Sequence, residues 1–443
     1  MPAAVGLAVL TLVLAIGLLL PWIASATADE RQTSATIPDR LPDYSYLTGP
    51  VSGPAPGRAI AIYQHGFMVE FLDFPQAVMV GADRDVTRRM TLAERRGGAE
   101  AQGDAGPMAL SPDGTTVAVG VYNADEPTLA LLDLTSGRTR TYAVESGRSA
   151  VPIAWSPDST RVAYLTTTGP ANPHNLRVHV VGGLGMLDVG TGKSHRYPGD
   201  EDVWSVAFSP DGTELAVQRL GSLQVVGPDG ETLRTLDSLP GHRLDGPNAW
   251  SPDGALLATT SRHPNCYDPD HPFDYAAEYA CLQEADYTFF VDATGRGRDV
   301  PAALSYAASG GYGILGWTGD REVVVLDDAT ARHNPEDDDE LYRVTALDLH
   351  TGRTRGISTV NGDGNFGIGH FQLAAGLVPD AQVREAGGFD RGRWPAPLLG
   401  GAALLAGGVA FLLARVVMRH RPRRDRRPEL VGQAGLEPAT DGL

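Results

Sequence analysis

Ser111-Pro112-Asp113-Gly114, Ser156-Pro157-Asp158-Ser159, Ser209-Pro210-Asp211-Gly212 and Ser251-Pro252-Asp253-Gly254 are four copies of one turn, each followed by a short apolar run. Proline at the second position presets φ for a type I turn, and the Ser and Asp side chains bond nearby amides. Apolar runs flank the copies, such as Ala154-Trp155 with Val162-Ala163-Tyr164-Leu165, and Val206-Ala207-Phe208 with Leu215-Ala216-Val217. They read as the two strands of an antiparallel hairpin. A unit that recurs at a spacing of 45, 53 and 42 residues signals an array rather than a set of independent domains.

A second element follows each hairpin. It reads Leu131-Leu132-Asp133-Leu134-Thr135-Ser136-Gly137, then Met186-Leu187-Asp188-Val189-Gly190-Thr191-Gly192, with later copies at Val291–Gly295 and Leu347–Gly352. A strand ends there, glycine supplies a positive φ, and a polar outer strand returns. Four strands per unit make the blade of a β-propeller. Trp317-Thr318-Gly319-Asp320 before Glu322-Val323-Val324-Val325-Leu326 is a degenerate fifth copy without the proline. Three strands near residues 58–63, 76–80 and 86–91 lack a first partner, and residues 366–378 can supply it. Joining the two chain ends in one blade closes the ring and removes its open edges. The expected fold is therefore an all-β, six-bladed β-propeller, with seven blades as the alternative.

These hairpins, followed by Leu/Val-Asp-x-x-x-Gly, resemble the WD-repeat-like propeller repeats of the TolB type over roughly residues 58–378. The resemblance bears on fold. It implies a binding platform or the accessory domain of a hydrolase, and it names no ligand.

Hydrophobic segments flank the propeller. Ala3 to Leu20 is uncharged, and Ala26-Thr27-Ala28 follows, so residues 1–28 are either a cleaved signal peptide or a signal anchor. Trp394 to Ala414 is also uncharged and long enough to cross a hydrocarbon core of ~30 Å. Seven arginines between Arg415 and Arg427 come next, which places the tail at 415–443 in the cytoplasm by the positive-inside rule. The expected arrangement is a plasma-membrane protein with an extracytoplasmic propeller at 58–378, joined by linkers at 29–57 and 379–393 read as flexible spacers. The net charge of −18, with a basic tail on an acidic body, argues against nucleic acid as a partner. Cys266 and Cys281 are the only cysteines and are expected to pair in an oxidising compartment.

In a four-stranded meander the 1–2 and 3–4 turns share one face, and the 2–3 and 4–1 connections share the other. The long insertions at 166–183, 261–286 and 327–341 fall between second and third strands. They therefore emerge opposite the Ser-Pro-Asp-Gly turns, on the face where a repeat protein commonly binds. The connectivity also brings both linkers to the Ser-Pro-Asp-Gly face, leaving the elaborated face to look away from the membrane.

Within the insertions, His263, Asp268, Asp270 and His271 flank Cys266, and His333 precedes Asp337, Asp338, Asp339 and Glu340. These are the candidate binding residues. Mixed His and carboxylate groups are cation ligands in principle, but the spacing fits no standard metal site, and a solvated acidic loop is the plainer reading. Asn361-Gly362-Asp363-Gly364-Asn365 resembles half of a calcium loop, yet Phe366 stands where glycine is required. No G-x-S-x-G elbow, H-E-x-x-H or P-loop occurs. Nothing calls for a cofactor and no catalytic residue is assignable. The expected function is a membrane-tethered module binding protein, peptide or glycan outside the cell. The alternative is a lyase- or glycosidase-type enzyme using the central channel.

Overall fold

A computed structural model describes residues 34–66, 75–144, 147–171, 180–197, 199, 202–236, 242–261, 286–306, 313–328, 341–361, 368–393 and 396–419. By internal contacts the chain divides into Asp29–Pro395, which holds the propeller, and a second unit made of Met1–Ala28 with Ala396–Leu443.

Six four-stranded sheets form the propeller. Blade 1 comprises Met108–Leu110, Thr116–Val119, Thr128–Asp133 and Thr139–Ala143. Blade 2 comprises Val151–Trp155, Arg161–Thr166, Gly183–Asp188 and Ser194–Arg196. Blade 3 comprises Val203–Phe208, Leu215–Arg219, Ser222–Val226 and Thr232–Leu236. Blade 4 comprises His242–Leu244, Leu256–Ser261, Asp286–Asp292 and Leu304–Tyr306. Blade 5 comprises Gly316–Trp317, Glu322–Asp328, Leu341–Asp348 and Thr354–Asn361.

Blade 6 closes the ring from both ends of the chain. Ile368–Leu373 pairs antiparallel with Ala59–His65, in the register Ala61↔Leu373 and His65↔Ile368. Gln76–Gly81 and Thr87–Arg89 complete it. The closing blade is stitched to blade 1 by the Gln372 amide, which accepts from Leu110 N at 2.9 Å and donates to Met108 O at 2.7 Å.

The Ser-Pro-Asp-Gly signature is structural. In all four copies the Ser hydroxyl donates to the Asp Oδ1 at 2.5–2.6 Å. The same hydroxyl accepts from the amide five residues on, at 2.9 Å each time. The Ser hydroxyl of each copy is thus committed to starting the second strand. The tryptophan before some copies ties neighbouring blades together. Trp155, Trp250 and Trp317 donate their indole N–H to Ala109 O, Ala207 O and Asn248 O at 2.8–3.0 Å. The core consists of apolar clusters between adjacent blades, such as Ile60, Tyr63 and Val78 of blade 6 against Val324, Leu326 and Val344 of blade 5.

The linkers depart from expectation. Residues 34–57 and 379–393 are a docked strap rather than spacers. Thr36–Pro38 pairs in parallel with Gln382–Arg384, in the register Ile37↔Val383. The N-terminal run then passes blade 5, where Leu41 N donates to Thr359 O. It returns beside blade 6, where Pro50 bridges to Arg89. Ala35, Ile37, Leu41 and Val51 are buried, which explains the ordering: their apolar side chains fill the margins of the two blades. Both chain ends do meet the ring on the Ser-Pro-Asp-Gly face, since Ala59 N donates to Gly114 O and Gly376 N to Pro112 O. They then fold back along the outer edge of blade 6, so the orientation expected from free linkers loses its basis.

In the second unit Ala396–Arg419 is a helix, within which the side chains of 396–399, 402–403 and 417–419 are not described. Among the described residues no helix is long and apolar enough to cross a membrane. The 1–28 segment and the tail beyond Arg419 lie outside the described residues.

Candidate functional site

First strands begin, and second strands end, on the face opposite the Ser-Pro-Asp-Gly turns. The long connections after Thr166, Ser261 and Asp328 leave from that face. The central-channel mouth and the strap tip also lie there, and each carries a side-chain cluster.

A bulge helps build the first cluster. The ladder register shifts between Val203 and Ser205, where Trp204 is partly exposed, and on the adjacent innermost strand Arg243 is partly exposed beside buried Leu244. The Arg243 guanidinium stands 4.2 Å from the centroid of the Trp204 ring, a cation–π contact across two blades. Next to it, the His242 ring lies edge-on to Phe289 at 4.2 Å, and burial holds the His242 pKa below its ordinary value. Arg219, ending the second strand of blade 3, pairs with Asp202 at 2.5 Å, and Leu220 beyond it is 58% exposed.

The second cluster sits where the strap tip meets blade 6. The Tyr63 hydroxyl donates to Pro42 O at 2.7 Å, and its ring stacks on Phe371 at 5.7 Å. His65 is sealed beneath Tyr44 and Tyr63, with ring centroids 5.8 and 5.0 Å away. Desolvation lowers its pKa to about 4, and the nearby Arg391 charge works in the same direction. The imidazole is therefore neutral at physiological pH, and its Nε2 lies 3.3 Å from Pro42 O. Above this buried layer Tyr46 and Leu47 project, 53% and 40% exposed.

A polar chain links blades 1 and 2 on the same side. Asn123 donates to Glu100 Oε1 at 2.7 Å and accepts from Arg148 Nε at 3.0 Å. The described groups on this face include aromatic rings, one stacked guanidinium and the carboxylates of Asp202 and Glu100.

His263, Asp268, Asp270 and His271, the Cys266 and Cys281 pair, and His333 with Asp337, Asp338, Asp339 and Glu340 all lie outside the described residues. Among the described residues no cluster of His, Cys, Asp and Glu could hold a metal ion. Asn361 ends the outer strand of blade 5, and its amide donates to Asp43 Oδ1 at 3.0 Å. Trp204, Arg243, Tyr44 and His65 went unnoticed in the sequence. Strict alternation would have placed Trp204 on the face of buried Val206 and Phe208; the register shift between Val203 and Ser205 sets it apart, and no local pattern reports that bulge.

The family described as WD domain, G-beta repeat matches residues 190–219, which run from the 3–4 turn of blade 2 through the second strand of blade 3. No curated protein matches the sequence. Among solved structures, TolB from Acinetobacter baumannii is 16% identical, with a TM-score of 0.45, over 73% of this chain and 68% of that one. Oligogalacturonate lyase from Vibrio parahaemolyticus is 11% identical, with a TM-score of 0.38, over 67% of this chain and 79% of that one. The functional words in those names describe those proteins. The WD repeat match agrees with the TolB-type, WD40-like propeller repeat read from the turns.

Proposed function

We propose that this chain is a membrane-tethered, extracytoplasmic propeller whose loop-rich face binds a protein, peptide or glycan. The observation that carries the reading is the division of labour between the two faces. On one, the Ser hydroxyls of the Ser-Pro-Asp-Gly turns are occupied by strand-starting hydrogen bonds. From the other, three long connections leave beside partly exposed aromatic and cationic side chains. Aromatic residues and arginine are the groups that dominate recognition surfaces.

Support for the tether comes from the Ala396–Arg419 helix. Leu404, Leu405, Val409, Phe411, Leu412 and Leu413 on it are each more than half exposed. An exposed apolar surface of this kind suits lipid better than water, and the arginine cluster that follows favours a cytoplasmic tail. With the propeller outside the cell, Cys266 and Cys281 form a disulfide.

The test uses the full chain in detergent micelles, immobilised and exposed to cell-envelope extract. An envelope protein or wall fragment should be retained, and shortening the 262–285 connection to a tight turn should abolish retention. Retention that survives removal of all three long connections defeats the proposal.

A further inference from the structure

The two halves of the strap are held in different ways. The N-terminal half buries Ala35, Ile37, Leu41 and Val51. The C-terminal half contributes little apolar surface: Val383 is 47% exposed and Phe389 is only partly covered. Phe389 packs on the core between blades 5 and 6, and polar contacts, the Arg384–Asp85 ion pair among them, supply the rest. Ala386 N donates to Asp39 Oδ1 and Gly387 N to Asp85 Oδ2, both at 2.8 Å. Arg88, only 1% exposed, donates to Asp390 Oδ2 at 2.9 Å. Gly392 lies over the Arg88 guanidinium at a φ of 72°, where a Cβ would come within 2.6 Å of Arg88 Nε. Such a segment undocks at lower cost than the N-terminal half, because water replaces most of its hydrogen-bond partners.

Arg391 joins this weaker half to the loop-rich face. Its guanidinium donates to Asp43 O and to Thr48 Oγ1, both at 3.0 Å, and so brackets the strap tip from both sides. Arg391 O accepts from Gly49 N at 2.7 Å. The tip between those contacts carries Tyr44, Tyr46 and Leu47, with Tyr44 packed on His65 at the base of the blade 6 hairpin. Residues 390–393 stand just before the Ala396–Arg419 helix in the chain.

We propose that residues 384–393 are a releasable clasp: displacing the chain ahead of the helix undocks them and frees the Tyr44–Leu47 tip, altering the loop-rich face while the ring stays closed. The ring stays closed because its closure resides in the pairing of Ile368–Leu373 with Ala59–His65 and in Gln372, none of which involves the clasp. Two states of a polar-docked segment over a rigid scaffold are a recognised form of switch.

The experiment is hydrogen exchange on the full chain in detergent micelles, comparing the native protein with two variants. Arg391→Gln removes the bracket on the tip. Gly392→Val prises the segment from Arg88 without altering a charge. In both, the Leu47, Thr48 and Gly49 amides should exchange about tenfold faster or more, with no change at the amides of the blade 2–4 turns. Asp253→Ala, which loosens a turn in blade 4, serves as the control for general destabilisation. The proposal is overturned if the tip amides keep native exchange in both variants. It is equally overturned if Asp253→Ala accelerates them as much, since the tip would then open only with the whole ring. Neither result depends on whether the face binds an envelope ligand.

Discussion

Ser159 occupies the position where the other three turns place Gly114, Gly212 and Gly254, and it takes the same left-handed conformation, with φ 58° against 70–72°. A side chain there costs about 1–2 kcal/mol of steric strain, partly offset because glycine loses more chain entropy on folding. Ser159→Gly should therefore stabilise the protein by roughly 0.5–1 kcal/mol, read from the urea midpoint; a lower midpoint would contradict the assignment. His65 makes a pH prediction. Its folded pKa, about 4, lies below the ordinary histidine value. Between that value and ~6.5 the unfolded chain takes a proton that the folded protein refuses. Stability is then complete above ~6.5 and falls on acidification, by up to ~1.4 kcal/mol per pH unit. His65→Gln should remove that slope between pH 6.5 and 4. A slope that persists undiminished would place the titration elsewhere.

At the scale of the element, the two turn types also act as carboxylate traps. Hydrogen bonds from Thr191 hold Asp188 below the usual carboxylate range, and those from Ser209 and the Thr213 amide do the same for Asp211. Asp348, bonded by the Thr351 amide and hydroxyl, shifts the same way. For each, the folded pKa is depressed, so the contribution to stability is full above ~4 and is lost as pH falls through the lower folded value. Ser209→Ala should raise the Asp211 pKa and cost about 1–2 kcal/mol, because the Glu214 amide loses its acceptor as well. Carbon-detected NMR titration of the aspartates reads the first effect and denaturant melts the second. An unmoved Asp211 titration would show that the serine does not set it.

For the whole molecule, the blades were readable because each is a local object. The turn chemistry repeats within a few residues, so four copies and one degenerate copy marked five blades, and the leftover strands marked the sixth. The strap was not readable. Thr36–Pro38 and Gln382–Arg384 are three-residue strands in Gly- and Pro-rich sequence, and their pairing joins opposite ends of the chain. Local composition therefore suggested spacers, while buried Ile37 and Leu41 decided otherwise. The aromatic side of the site was hidden for a related reason. Trp204 and Arg243 meet only because blades 3 and 4 are neighbours in the ring, and no local pattern reports a contact between blades. The cysteines belong to this scale too. The proposed extracytoplasmic location predicts that non-reducing peptide mapping of the full chain recovers Cys266 linked to Cys281, and free thiols at both would count against it.

The central claim is that recognition resides on the loop-rich face and not on the turn face. Covalent carboxyl and aromatic footprinting of the full chain, with and without saturating envelope extract, tests it directly. Protection is predicted in the 166–183, 261–286 and 327–341 connections and at Tyr46 and Trp204, with Asp113, Asp158, Asp211 and Asp253 of the turns unchanged. Protection at those four aspartates, with the long connections left labelled, would contradict the account.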